Sequence, residues 1–157
     1  MAGGLEASEK FSLNIESRLE QSGVESYLRK HLRDYRYFSP AVSTPQNRQL
    51  FANNLLKAYQ QFNLDGIDID WEYPALAGHK GNNVSPNDTA NFLAFLQVLR
   101  KTLPATAKIS AAVLTVPWVD AKGQPLKDVS AFANVLDWIL LMNYDTWGCK
   151  WLSRIKY

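Results

Sequence analysis

The sequence predicts an α/β fold in which helices and strands alternate, and two observations carry that prediction. The stretch Leu64-Asp65-Gly66-Ile67-Asp68-Ile69-Asp70-Trp71-Glu72-Tyr73-Pro74 alternates apolar and charged residues, which is the period of a β-strand. On either side of it, apolar residues recur at helical spacing, and after the second helical stretch two further apolar runs follow. A strand fed by a helix is a βα repeat, whose strands are expected to be buried on both faces.

The elements are expected in this order. Residues 1 to about 14 are Gly, Ala, Ser and charges, the composition of a disordered terminus. Ile15, Leu19, Val24, Leu28 and Leu32 then recur at near-helical spacing, and Gly23 divides the stretch so that it reads as one helix or two short ones. Ser43-Thr44-Pro45 starts a helix, with a hydroxyl cap and proline in the first turn. That helix runs to about Phe62 and places Leu50, Phe51, Leu55 and Tyr59 on one face. The acidic strand follows, then a loop from Tyr73 to Val84 rich in Pro, Gly and Asn.

Ser85-Pro86-Asn87-Asp88 has the pattern of a capping box. Phe92, Leu93, Phe95, Leu96 and Leu99 form the stripe of the helix it opens, which ends near Lys101. Asn83-Val84-Ser85 and Asn87-Asp88-Thr89 are N-glycosylation sequons, meaningful only in a secreted chain. Lys108 to Leu114 is a strand with small residues at alternate positions, which serve either a cleft or close helix packing. A loop to Lys127 leads to a short helix from Val129 to Val135, capped by Asp128. Trp138 to Asp145 is a buried strand that turns polar at its C-terminal end, and residues 149–157 are a basic tail.

Composition narrows the function classes. The chain has 157 residues, of which 46% are hydrophobic and 20% charged, ordinary values for a globular domain. A net charge of +2 favours no polyanionic partner. The group Arg29, Lys30, His31, Arg33 and Arg36 reads as a solvated helix face rather than a nucleic-acid site. No run is long enough to cross a membrane, so neither nucleic acid nor membrane is an expected partner. Cys149 is alone, which excludes an intrachain disulfide. The first fourteen residues lack the apolar core of a secretory leader. No cofactor and no metal is expected.

The acids carry the functional signal. On a strand, Asp68, Asp70 and Glu72 share one face about 7 Å apart, while Ile67, Ile69 and Trp71 share the other. Asp65 is out of step and belongs at the strand entrance. Three carboxylates in file repel one another, so stability alone gives no reason to build them. They read either as the solvated outer face of an edge strand or as a catalytic set with displaced, coupled pKa values. The helical context of a buried strand favours the second.

Asp65-Gly66-Ile67-Asp68-Ile69-Asp70-Trp71-Glu72 resembles the active-site signature D-G-x-D-x-D-W-E of glycoside hydrolase family 18, the chitinases and their relatives, at every position. Met142-Asn143-Tyr144-Asp145 resembles the M-x-Y-D end of that family's sixth strand. The likeness runs from about Tyr37 to Gly148, so the domain reading is a divergent segment 1–36, a partial family 18 catalytic barrel 37–148 and the tail 149–157.

The resemblance implies a (β/α)8 TIM barrel, which takes about 250 residues and rarely fewer than about 200. The expected fold is therefore a partial barrel lacking several strands. The family's S-x-G-G strand end is replaced by Leu28-Arg29-Lys30-His31-Leu32-Arg33-Asp34. The first two strands, the last two, and the tryptophan that floors the sugar site have no counterpart.

The resemblance further implies hydrolysis of β-1,4-linked N-acetylglucosamine polymers, with chitin or its oligosaccharides as partner. The mechanism is substrate-assisted, the substrate's own acetamido oxygen acting as nucleophile. Glu72 would be general acid and then base, Asp70 would hold the acetamido N–H, and Asp68 would share a proton with Asp70. Tyr144 would donate to the acetamido oxygen, with Asp145 and Met142 shaping the pocket. Tyr73 would line the cleft or pack, Met142 equally would pack in the core, and Trp147 would stack on a sugar or pack beneath the terminal segment. Two other classes stand beside the enzyme: a non-catalytic carbohydrate-binding relative, which typically loses the acid retained here as Glu72, and an inactive, unstable fragment. The resemblance implies an extracellular setting, while the missing leader leaves intracellular retention open.

Overall fold

The computed structural model describes residues 37–78 and 81–144. The predicted disordered start, the helical stretch 15–35 and the basic tail lie outside the described residues. Seven elements follow one another: α1 (Phe38–Val42), α2 (Pro45–Gln61), β1 (Gly66–Ile69), α3 (Asp88–Thr102), β2 (Lys108–Val113), α4 (Ser130–Ala133) and β3 (Trp138–Leu141). The strands form one parallel sheet in the order β1-β2-β3.

Helix α2 begins where its sequence says it should. Thr44 accepts the Asn47 N–H at 3.1 Å and Pro45 takes the first helical position, which satisfies one orphan donor and uses a residue that has none to satisfy. Ala52 and Leu55 are buried, with Phe51 and Tyr59 packed against the same core. Leu50, predicted on that face, is 62% exposed. One residue turns a helix by about 100°, so Leu50 looks out when Phe51 looks in. Asn63, one residue past the α2 C-cap, takes φ 49°, a conformation asparagine tolerates better than most residues.

Half of the capping box predicted at Ser85 and Asp88 forms. Asp88 accepts the Ser85 N–H at 2.8 Å, but the Ser85 hydroxyl accepts from the Asn87 N–H rather than from Asp88. Asp88 is nearly inaccessible, and its second oxygen accepts from the Ser39 hydroxyl at 2.7 Å. That bond ties the first turn of α3 to α1, an element the sequence reading did not anticipate. A carboxylate at a helix N-terminus is also favoured by the helix dipole.

The core lies between the helices and the apolar face of β1. Ile67, Ile69 and Trp71 are buried there with Phe92, Phe95, Leu96 and Leu99 of α3. Trp71 stacks on Phe38, with ring centroids 5.2 Å apart, and meets Phe92 edge-on at 5.5 Å. Such contacts add about 0.5–1.5 kcal/mol beyond area burial. Trp71 is therefore the anchor that turns the alternate, acidic residues away from the core.

Two close approaches fix the sheet. A β-carbon on Gly66 would lie 2.3 Å from the Lys108 carbonyl oxygen, so only glycine lets β1 enter against β2. At the start of β3, Asp137 accepts from the Ile109 N–H at 2.9 Å, from Lys108 Nζ at 3.0 Å and from Arg100 at 2.5 Å. Arg100 also donates to the carbonyls of Ala107 and Val135. One guanidinium thus joins α3, the entrance of β2 and the approach to β3.

Two expectations need correction. The strands β1 and β3 were expected to be buried on both faces. On β1 the acidic face is open, and on β3 all four residues, Trp138, Ile139, Leu140 and Leu141, are 44–51% exposed. The physical reason is the extent of the sheet: among the described residues, no element covers the acidic side and no strand pairs beyond β3.

Candidate active site

The site is built on the end of β1. Pairing with β2 covers only Gly66 to Ile69, with Asp68 opposite Ser110. Asp70, Trp71 and Glu72 project past the ladder, and the alternation continues through burial of Trp71. Asp68 and Asp70 stand on the open face and Glu72 is half-buried. The Glu72–Tyr73 peptide bond is cis.

Across the parallel register, Ser110 donates its hydroxyl to Asp68 Oδ1 at 2.5 Å. Crowding by protein on one side withdraws water from Asp68 and raises its pKa, while the Ser110 bond pulls the other way. Asp70 is pushed up to about 6, first by desolvation and then by the negative charges of Glu72 and Asp68. A carboxyl group in that range holds its proton part of the time near neutral pH, which is the condition for sharing a proton within the set.

Tyr73 is drawn into the same field. Its phenol is pushed up to about 12 by desolvation, by a hydrogen bond to the Glu72 carboxylate, and by the charges of Glu72, Asp70 and Tyr144. Tyr73 therefore lies within reach of the charges of Glu72, Asp70 and Tyr144. Tyr144 is 65% exposed on the segment leaving β3. Met142 continues the ladder by donating its N–H to the Val113 carbonyl at 2.8 Å and is half-buried. Asp145 and Trp147 lie outside the described residues.

Sequence reading missed three contributors. Ser110 was seen only as one small residue of an alternating set, and the signal that identifies it is register: it is the parallel partner of Asp68. Gly78 and Asn82 were seen only as loop composition. Asn82 Nδ2 donates to the Glu72 carbonyl at 3.2 Å, and Gly78 approaches the same carbonyl closely.

What the arrangement can do follows from these groups. A file of three carboxylates, one held near neutrality, can deliver a proton to a leaving oxygen and then take one from water. Tyr144 adds a hydroxyl donor.

Residues 31–156 match the model of the glycosyl hydrolases family 18. Over 119 residues the chain is 45% identical to a chitinase-like effector of Moniliophthora roreri, covering 76% of this chain and 29% of that protein. Over 111 residues it is 32% identical to Chitinase A1 of Niallia circulans, covering 69% and 16% respectively. Among solved structures it is similar to a chitinase of Rhizomucor miehei, with a TM-score of 0.69 and 33% identity over 72% of this chain and 31% of that one. The chain thus spans about three-tenths, or less, of the length of the relatives it matches.

Proposed function

We propose that this chain, which belongs to the glycosyl hydrolases family 18, carries the acid half of a site that cleaves β-1,4-linked N-acetylglucosamine chains with the substrate's own acetamido group as nucleophile. Its three strands are part of a (β/α)8 barrel, the fold its structural neighbours imply. The observation that supports the reading best is the file of Asp68, Asp70 and Glu72 at the C-terminal end of β1, with Asp68 held by Ser110 of β2.

In this account Glu72 gives its proton to the glycosidic oxygen as the bond to the anomeric carbon breaks. The acetamido oxygen bonds to that carbon and forms an oxazolinium ion. Asp70 receives the acetamido N–H, and a proton shared with Asp68 lets Asp70 meet the growing positive charge. Glu72, now a carboxylate, takes a proton from the water that opens the ring and restores the N-acetyl group, with retained configuration. The Tyr144 hydroxyl donates to the acetamido oxygen before attack, Tyr73 lines the cleft beside Glu72, and Met142 and Asp145 shape the pocket, with Trp147 stacking on a sugar face. The partner is chitin or its oligosaccharides, met outside the cell.

The test is substrate discrimination. With residues 37–144 carried in a complete family 18 barrel, acetylated oligomers should be cleaved, and fully deacetylated glucosamine oligomers should bind weakly and survive. Comparable cleavage of both would replace the substrate nucleophile by a protein one. A second reading, binding of chitin oligomers without cleavage, draws support from the similarity to a chitinase-like effector and from the open acidic face of β1. Saturable binding of acetylated oligomers with no turnover, even with residues 37–144 carried in a complete family 18 barrel, would establish it.

A further inference from the structure

We infer that Asn82 is a positioning residue for Glu72, holding the backbone of the acid from the far side of the β1–α3 loop. The inference rests on the proposed role of Glu72. It is carried by where Glu72 lies. The β1–β2 ladder ends at Ile69 and Ala111, so pairing does not fix residue 72. Immediately after it the chain turns back, with the Leu76 N–H bonded to the Tyr73 carbonyl. The returning loop then closes on the Glu72 carbonyl from two sides. Asn82 donates its side-chain amide to that oxygen at 3.2 Å. Gly78, at φ 47°, lies so near that a β-carbon there would be 2.3 Å from the same oxygen and 2.9 Å from Asn82 Nδ2.

The donor is itself well founded. Three residues on, the Ser85 N–H is bonded to the buried carboxylate of Asp88, which Ser39 holds from α1. Asn82 thus reaches the Glu72 carbonyl from a segment that is tied to the packed helices three residues later. Catalytic groups need placement within about 0.5 Å, and a misplacement of about 1 Å costs on the order of 10²-fold in rate.

The experiment uses Tyr73 as the reporter, because its phenol, pushed up to about 12 first by desolvation, is held up further by its hydrogen bond to the Glu72 carboxylate. The tyrosines of the whole chain are labelled with ¹³C and Tyr73 is assigned by its loss in Tyr73→Phe. In Asn82→Leu and Asn82→Ala, which remove the donor without adding a charge, the Tyr73 midpoint should fall toward 10. Val84→Ala, an exposed neighbour, should leave it in place. An unmoved midpoint in folded Asn82 variants overturns the proposal. A second measurement needs no variant: in the parent chain the Asn82 side-chain amide protons should exchange at least tenfold slower than those of a free asparagine, and exchange at the free rate overturns it equally. Failure of the acid assignment is read elsewhere, since Glu72→Gln in a complete family 18 barrel would then leave hydrolysis intact whatever Asn82 does to Tyr73.

Discussion

Ser110 on β2 donates its hydroxyl to Asp68 on β1 at 2.5 Å, across a parallel register that places the two residues opposite each other. The bond favours the charged form of Asp68 and opposes the desolvation that raises its pKa. Ser110→Ala removes that opposition, so the Asp68 midpoint should rise. Stability should fall by about 1–2 kcal/mol, the cost of leaving a partly buried acceptor unmet. Carboxyl ¹³C titration and denaturant unfolding check the two halves, and an unchanged Asp68 midpoint would show that the bond does not tune the acid.

Asp70 gives a pH dependence of opposite sign to the usual carboxylate. Its folded pKa is raised to about 6, above the ordinary value of about 3.9. Between those values the folded chain binds more protons than the unfolded one, so stability declines as pH rises through that window. Asp70→Asn should therefore raise the melting temperature at pH 7 and have little effect at pH 4. Equal effects at both values would contradict the crowding.

Asp137 runs the other way. Partial burial works against its charge, but the Ile109 N–H, Arg100 and Lys108 hold its carboxyl down at about 2. Its contribution is fully present above the unfolded value of about 3.9 and is lost as pH falls through about 2. Asp137→Asn should cost about 1–2 kcal/mol at pH 7 after allowance for solvent screening, and clearly less at pH 2, where about half of the folded carboxyls are protonated. Urea unfolding at the two pH values checks it.

How much was legible in the sequence follows from which residues act locally. Thr44 and Pro45 declare the start of α2, and Ile67, Ile69 and Trp71 declare the buried face of β1, because a cap and a two-residue period are short-range properties. The acids of the site were legible for the same reason. Ser110 and Asn82 were not, since their value comes from partners 42 and 10 residues away. Leu50 failed by about 100° of helix rotation. Burial of β3 failed because an apolar strand is covered only when other elements cover it, which its own composition does not state.

That last point has a measurable consequence. An exposed apolar edge strand is a template for pairing with other chains. The 157-residue chain should self-associate, and Ile139→Lys with Leu141→Lys should shift sedimentation toward monomer. The isolated monomer should be inactive or nearly so on chitin oligomers. Turnover on the order of 1 s⁻¹ or more would show that the described sheet suffices without closure of the barrel.

The most direct test of the account is Glu72→Gln with residues 37–144 carried in a complete family 18 barrel. The amide keeps the shape of the acid and loses its transferable proton. Hydrolysis of a chitotriose-type chromogenic substrate should fall by at least the roughly 10²–10⁴-fold that general acid catalysis supplies, while oligosaccharide binding is retained. Hydrolysis within a factor of a few of the parent would contradict the role of Glu72 and, with it, the reading of the acidic strand.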